Sequence, residues 1–313
     1  MLSILTLIAG LVVLVFAGDY LVRGAVALAE KLSIDPLIIG LTIVAFGTSA
    51  PELFVSLQAA YDGVSGIAIG NVVGSNIANV LLVLGAPALL MAIYCREDGI
   101  GISLAVMVVM TLVLMAMMSA GNGLSRLDGL ALLAIIALYL GWQINAARHC
   151  GPVDLHDYHD EVANLPQENW KTWTFIIGGM VGLPLGAWLT VEGASQIARM
   201  LGASETAIGL TIVAIGTSLP ELVTSVMAAW RKSAAVAIGN VVGSNIFNMG
   251  LILGGTAVIL PLDVDDRIIN IDMWVMLAVS LLVVGLAHWN IPIKKLGGAA
   301  MLAAFAAYIL SVF

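Results

Sequence analysis

The chain reads as an all-α membrane protein: ten transmembrane helices forming two inverted five-helix repeats, with broken helices at the midplane. Three observations carry that expectation. The 313 residues are 61% hydrophobic and only 10% charged, against about 25% charged in an ordinary soluble domain. Apolar runs near 20 residues recur from end to end, the length that crosses roughly 30 Å of hydrocarbon. The string GLTIVAFGTSAPEL at Gly40–Leu53 returns as GLTIVAIGTSLPEL at Gly209–Leu222, and AIGNVVGSNI stands at both Ala68–Ile77 and Ala237–Ile246. Both pairs are offset by 169 residues, so one structural unit occurs twice.

Taken in order, the spans are expected at 2–28, 36–60, 66–93, 101–120, 126–147, 171–200, 205–229, 236–260, 268–288 and 293–312. The first could pass for a leader, with Val15–Ala17 resembling a cleavage site. It has no basic start, however, and its apolar run continues through Leu28, so it reads as a retained helix. The second and seventh contain Pro51 and Pro220, which break the helix because proline has no amide hydrogen and clashes with the carbonyl four residues back. The third and eighth carry Gly70 with Gly74 and Gly239 with Gly243, a small-residue spacing that permits close helix packing. The fourth, fifth, ninth and tenth are recognised by hydropathy alone. The sixth opens the second half.

The division is therefore 1–148 for the first repeat, 149–170 for a polar linker and 171–313 for the second repeat. The linker's Cys150, Asp154, His156, Asp157, His159, Asp160 and Glu161 read as a solvated stretch, with a metal-sensing cluster as the sharper alternative. Two cysteines, Cys95 and Cys150, do not make a disulfide framework.

Basic residues set the expected orientation. Alternating spans place Arg23, Lys31, Arg96, Arg148, Lys171, Arg231, Lys232, Lys294 and Lys295 on one side, and Arg126, Arg199 and Arg267 on the other. The richer side is expected to be cytoplasmic, which puts both termini outside a cell membrane. Five spans per half is an odd number, so the second half enters from the opposite face. Inverted repeats of this kind place a binding site at the repeat interface near the midplane.

The repeated strings hold the chemistry. Thr48 and Glu52 lie four residues apart and share a helix face, with Ser49 beside them. Pro51 denies the Gly47 carbonyl its helical donor, and a carbonyl left bare in lipid costs several kcal/mol unless protein, water or an ion repays it. Thr217, Ser218, Pro220 and Glu221 repeat the pattern. In the third span Ser75 and Asn79 share a face with Asn76 beside them, and their twins are Ser244, Asn248 and Asn245. Brought together, these groups form a ring of hard oxygen donors around two carboxylates, which suits calcium or sodium. Without cysteine or histidine at that depth, zinc, copper and nickel are poorly served. Intramembrane carboxylates mark ion or proton pathways. Cation transport is the expectation.

At these residues the chain resembles the sodium/calcium exchanger family of the cation/calcium exchanger superfamily. The G-T-S-x-P-E element reads Gly47–Glu52 and Gly216–Glu221, and the G-S-N-x-x-N/D element reads Gly74–Asn79 and Gly243–Asn248. The resemblance implies that Glu52 and Glu221 are central acidic ligands shared by calcium and sodium. It implies hydroxyl or backbone oxygens from Thr48, Ser49, Thr217 and Ser218, and main-chain carbonyls from Ala45 and Ala214. Ser75, Asn79, Ser244 and Asn248 complete the set. Several relatives carry aspartate at one of the positions held by Asn79 and Asn248. With asparagine at both, the site holds two negative charges rather than three, and potassium independence is expected. The resemblance further implies a minimal, prokaryotic-type member that acts as a monomer without cofactor or nucleic acid. Sodium and calcium are its partners, traded three to one by sliding the first and sixth spans past the other eight.

A calcium/proton antiporter is the nearest alternative, because the same glutamates could release protons. A cation channel is the alternative from another class. An intramembrane enzyme is not expected, since the chain has no HExxH and no GxSxG.

Overall fold

The computed structural model describes residues 2–121, 123–149, 165–202 and 214–312. Residues 205–213 of the expected seventh span lie outside that set, as does the linker from Cys150 to Asn164 with its His/Asp cluster. Among the described residues, eight helices are long and apolar enough to cross a membrane. A ninth span is a bent pair, Pro36–Thr48 followed by Ala50–Tyr61, with 43° between the parts.

In chain order, α1 is Leu2–Leu32. The bent span comprises α2 (Pro36–Ile39), a π turn at Gly40–Val44, α3 (Ala45–Thr48) and α4 (Ala50–Tyr61). Asp35 caps α2, its side chain accepting from the Leu37 amide at 2.8 Å, and Pro36 supplies a preset first turn. The third span is α5 (Ser65–Ala78), a π turn at Asn79–Val83 and α6 (Gly85–Ala88). It stops at Ala88 rather than near 93, because Ile93 leaves the helix to exchange backbone hydrogen bonds with Ile293. Next come α7 (Ile100–Gly121), β1 (Gly123–Leu124) and α8 (Arg126–His149).

The second half begins with α9 (Asn169–Met200). It continues with α10 (Ala214–Thr217), α11 (Leu219–Trp230) and α12 (Ala234–Phe247). A π turn at Asn248–Leu253 leads into α13 (Gly254–Ile259), and β2 (Leu262–Asp263) pairs antiparallel with β1. A last π turn at Ile268–Asp272 precedes α14 (Met273–His288), and α15 is Lys295–Val312.

The span Ala234–Ile259 is 94% buried and Ser65–Ala88 72%, whereas the outer helices are 39% buried or less. The two spans that carry the repeated GNVVGSN string therefore form the centre. Large apolar side chains on the outer helices face outward, Leu138, Val181 and Leu310 among them, as a bilayer requires. Exposed Trp170, Trp230 and Trp289 stand beside Lys171, Arg231 and the Lys294–Lys295 pair, the position of an interfacial aromatic belt.

Helices α1 and α9 lie side by side and antiparallel. Small residues recur every seventh position on both: Gly10, Ala17 and Gly24 on α1, and Gly179, Gly186 and Gly193 on α9. A Cβ added at Gly186 would stand 2.8 Å from the Leu14 nitrogen, and one at Gly179 would stand 2.9 Å from the Ala17 carbonyl oxygen. The seam thus depends on backbone-to-backbone approach. At one end Lys31 donates to Thr172 Oγ1 at 2.7 Å. Asp19 of α1 ties the pair to the end of α11, accepting from Arg231 Nε at 2.8 Å.

Candidate functional site

Two helix breaks and two π turns aim the side chains. Ser49, at φ −83° and ψ 4°, interrupts the second span between α3 and α4, and Ser218, at φ −87° and ψ 4°, interrupts α10 and α11 in the same way. Pro51 and Pro220 each fall in the first turn of the following helix, where a missing amide costs nothing. That places Glu52 and Glu221 in the first turns of α4 and α11, where the positive end of the helix dipole favours negative charge. The π turns begin at Asn79 and Asn248, the paired asparagines of the third and eighth spans. Turns of this type mark functional positions in many helices because they shift the hydrogen-bond register.

Packing then closes the distance between the halves. A Cβ at Gly239 would sit 2.8 Å from the Leu37 carbonyl oxygen, and one at Gly243 would sit 2.6 Å from that of Leu41. These glycines let α12 lie against the bent span, as their spacing suggests. The neighbouring Ser244 then reaches Thr48, with their hydroxyl oxygens 3.3 Å apart. Thr48 Oγ1 also donates to Asn240 Oδ1 at 3.0 Å. Ser49 Oγ donates to Glu221 Oε1 at 3.2 Å, a bond from one half to the carboxylate of the other.

Glu52, Thr48, Asn79, Glu221, Ser244 and Asn248 are all 0% exposed, with Ser49, Ser75 and Ser218 at 4% or less. Ala45 is buried, and its carbonyl accepts from the Ser49 amide at 3.0 Å, with the Thr48 hydroxyl oxygen 3.3 Å away. Ala214 opens α10, and Thr217 stands half-buried at its end. The structure brings Thr48 to Ser244 and Ser49 to Glu221, and it buries Glu52, Asn79, Ser218 and Asn248.

Several buried oxygens have no hydrogen-bond partner among the described residues: Glu52 Oε1 and Oε2, Glu221 Oε2, Asn79 Oδ1, Asn248 Oδ1 and Ser218 Oγ. An unsatisfied acceptor in an apolar interior is costly. Here every one is oxygen, and two carboxylates supply the charge. That donor set fits a hard cation such as calcium or sodium as cargo.

The sequence reading passed over Asn71 and Asn240, and it named Asn76 and Asn245 without the role that their contacts give them. Asn240 Nδ2 donates to the Glu221 carbonyl at 3.4 Å and to Ser225 Oγ at 3.2 Å. Its twin Asn71 donates to the Glu52 carbonyl at 3.2 Å and to Ser56 Oγ at 3.0 Å. Asn76 and Asn245 bond to each other's backbone and to the paired Asn248 and Asn79. The signal was present in the strict repetition of Gly-Asn and Ser-Asn within AIGNVVGSNI.

The sequence matches the family model described as sodium/calcium exchanger protein over residues 2–145 and 171–313. It is 39% identical over 304 residues to a putative antiporter, CaxA, from Alkalimonas amylolytica, covering 96% of this chain and 95% of that protein. It is 34% identical over 345 residues to the sodium/calcium exchanger MaX1 of Methanosarcina acetivorans, covering 99% and 98%. Among solved structures, the sodium-calcium exchanger NCX_Mj soaked with 2.5 mM Na+ and 0.1 mM Ca2+ superposes with a TM-score of 0.86 at 32% identity, covering 100% of this chain and 99% of that one.

Proposed function

The chain belongs to the sodium/calcium exchanger protein family, and from that premise we propose that it exchanges sodium for calcium across a cell membrane without needing potassium. The observation that carries the reading is the closed cluster around Glu52 and Glu221, with its unpartnered acceptor oxygens drawn from both halves of the chain. Glu52 and Glu221 are the shared acidic ligands. Thr48, Ser49, Thr217, Ser218, Ser75, Asn79, Ser244 and Asn248 are the neutral ones, with the carbonyls of Ala45 and Ala214.

Two carboxylates cannot serve calcium and a full sodium load together, so the ions compete, and competition for one site is the physical root of antiport. A bare, doubly charged site is penalised in hydrocarbon, whereas a loaded one is largely neutralised and can move. The topology is ten spans, with repeats at 1–148 and 171–313 inverted about the linker 149–170 and both termini outside. The grouping of basic residues at the same end supports that sidedness. Arg231 meets α1 at Asp19, close to Arg23, while the β1–β2 pair joins the loops next to Arg126 and Arg267. The α1–α9 pair is the moving element and works in a monomer. Three sodium ions for one calcium move one net charge, worth about 2.3 kcal/mol per 100 mV.

The test is calcium uptake into proteoliposomes of purified protein, loaded with sodium and diluted into sodium-free medium. Uptake that requires the sodium gradient, ignores potassium and vanishes in Glu52→Gln and Glu221→Gln is the expected result. Uptake that follows an imposed pH gradient with sodium irrelevant would make the protein a calcium/proton antiporter. Flux that does not saturate and needs no counter-ion would make it a channel.

A further inference from the structure

Resting on the reading of this cluster as a cation site, we propose that Asn76 and Asn245 set its polarity. They are positioning residues that force Asn79 and Asn248 to present oxygen to the cargo, and they exclude a third negative charge.

Two backbone carbonyls set the sense of every bond in the ring. Asn76 Nδ2 donates to the Asn245 carbonyl at 3.3 Å, and Asn245 Nδ2 donates to the Asn76 carbonyl at 3.3 Å. A carbonyl can only accept, so the NH2 of each side chain must face it. The Oδ1 of each side chain is thereby left as an acceptor. Asn248 Nδ2 donates to Asn76 Oδ1 at 3.0 Å, and Asn79 Nδ2 donates to Asn245 Oδ1 at 3.0 Å. Donor and acceptor sense thus runs from the two carbonyls through four carboxamides with no choice left at any step. What remains is Asn79 Oδ1 and Asn248 Oδ1, both buried and unpartnered. All four asparagines are 1% exposed or less, so water does not compete for these bonds.

The ring also fixes charge. A carboxylate at position 248 would set a lone pair against Asn76 Oδ1, acceptor against acceptor, in a buried setting where such an opposition is heavily penalised. It would have to take up a proton or break the ring. The site therefore keeps two charges because Asn76 and Asn245 enforce it, beyond the fact that positions 79 and 248 are asparagine.

A double-mutant cycle tests this, with calcium affinity measured by isothermal titration on the full chain in detergent. Asn76→Ala alone is expected to weaken calcium binding about tenfold, since the Asn248 amide is freed to turn its NH2 toward the cation. In an Asn248→Asp background the same substitution is expected to strengthen binding, because the opposing acceptor is gone and the new carboxyl can ionise. The mirror cycle, Asn245→Ala with Asn79→Asp, is expected to reverse sign in the same way. Asn76→Ser replaces the alanine variant if that does not fold, with thermal melting as the control. A factor that is the same in both backgrounds would reduce Asn76 to a packing residue and overturn the proposal. A wild-type protein that binds neither calcium nor sodium would overturn the cation reading and this proposal with it.

Discussion

Gly243→Ala tests whether the packing of α12 against the bent span is what assembles the site. The added Cβ would stand 2.6 Å from the Leu41 carbonyl oxygen and 2.7 Å from the Ala45 Cβ, both belonging to the backbone or attached directly to it. Ordinary contact begins near 3.4 Å, so α12 must retreat by about 0.8 Å. Ser244 follows Gly243 in the chain. Moving it by that amount carries its hydroxyl from 3.3 Å to beyond hydrogen-bond range of Thr48. It also stretches the 3.0 Å bond from Thr48 to Asn240. Overpacking costs about 1–3 kcal/mol of stability, and each lost hydrogen bond about 1 kcal/mol more. The apparent calcium affinity should fall about 5–30-fold. The assay is the calcium dependence of sodium-driven uptake, with thermal melting in detergent alongside and Gly101→Ala, at an exposed helix position, as the neutral comparison. A lower melting temperature with unchanged calcium dependence would refute the reasoning, because it would mean that this seam holds the fold without positioning the ligands.

Three further outcomes are expected. Asn240→Leu removes the donors to the Glu221 carbonyl and Ser225 and the acceptor for Thr48, so half-saturation by calcium should rise about fivefold or more with turnover retained; Asn71→Leu, at a less buried position, should do less. Gly186→Val drives a side chain into the Leu14 backbone at 2.8 Å and should cost about 1–3 kcal/mol, read as a lower melting temperature. Cys95, in the connection before α7, is 1% exposed, and burial pushes its thiol up to about 12. It stays protonated at any pH well below that value, so in a Cys150→Ser background maleimide at pH 7.5 should label it only after denaturation.

Much of this could be read from the chain itself. Hydropathy located the eight long helices and the bent pair found among the described residues, and the 169-residue repeat singled out Glu52, Glu221 and the serine, threonine and asparagine set around them. The π turns at Gly40–Val44, Asn79–Val83 and Asn248–Leu253 were not legible. A change of hydrogen-bond register by one residue has no compositional signature in an apolar run. The sense of the asparagine ring was hidden for a different reason: it depends on Asn76 and Asn245 meeting across the two halves, and spacing within either half says nothing about that. The α1–α9 seam was readable, since Gly10, Ala17 and Gly24 recur at sevens as do Gly179, Gly186 and Gly193. Hydropathy treats those glycines as neutral, so a search for apolar length passes over them.

The reciprocal bonds between Asn76 and Asn245 make the centre symmetric in the manner of a dimer. A contact in which residue i of one unit meets residue j of the other, and j meets i, is the mark of an isologous dimer. Here i and j are the same residue of the repeated string, 169 positions apart. The two copies of the repeated string thus meet as the two halves of such a dimer would, each asparagine answering its own counterpart. Carrying both copies on one chain makes that pairing permanent and leaves each copy free to differ from the other elsewhere. The copies differ at Ala78 and Phe247 and at Ser65 and Ala234, whereas the asparagines that meet their own counterparts are the same in both.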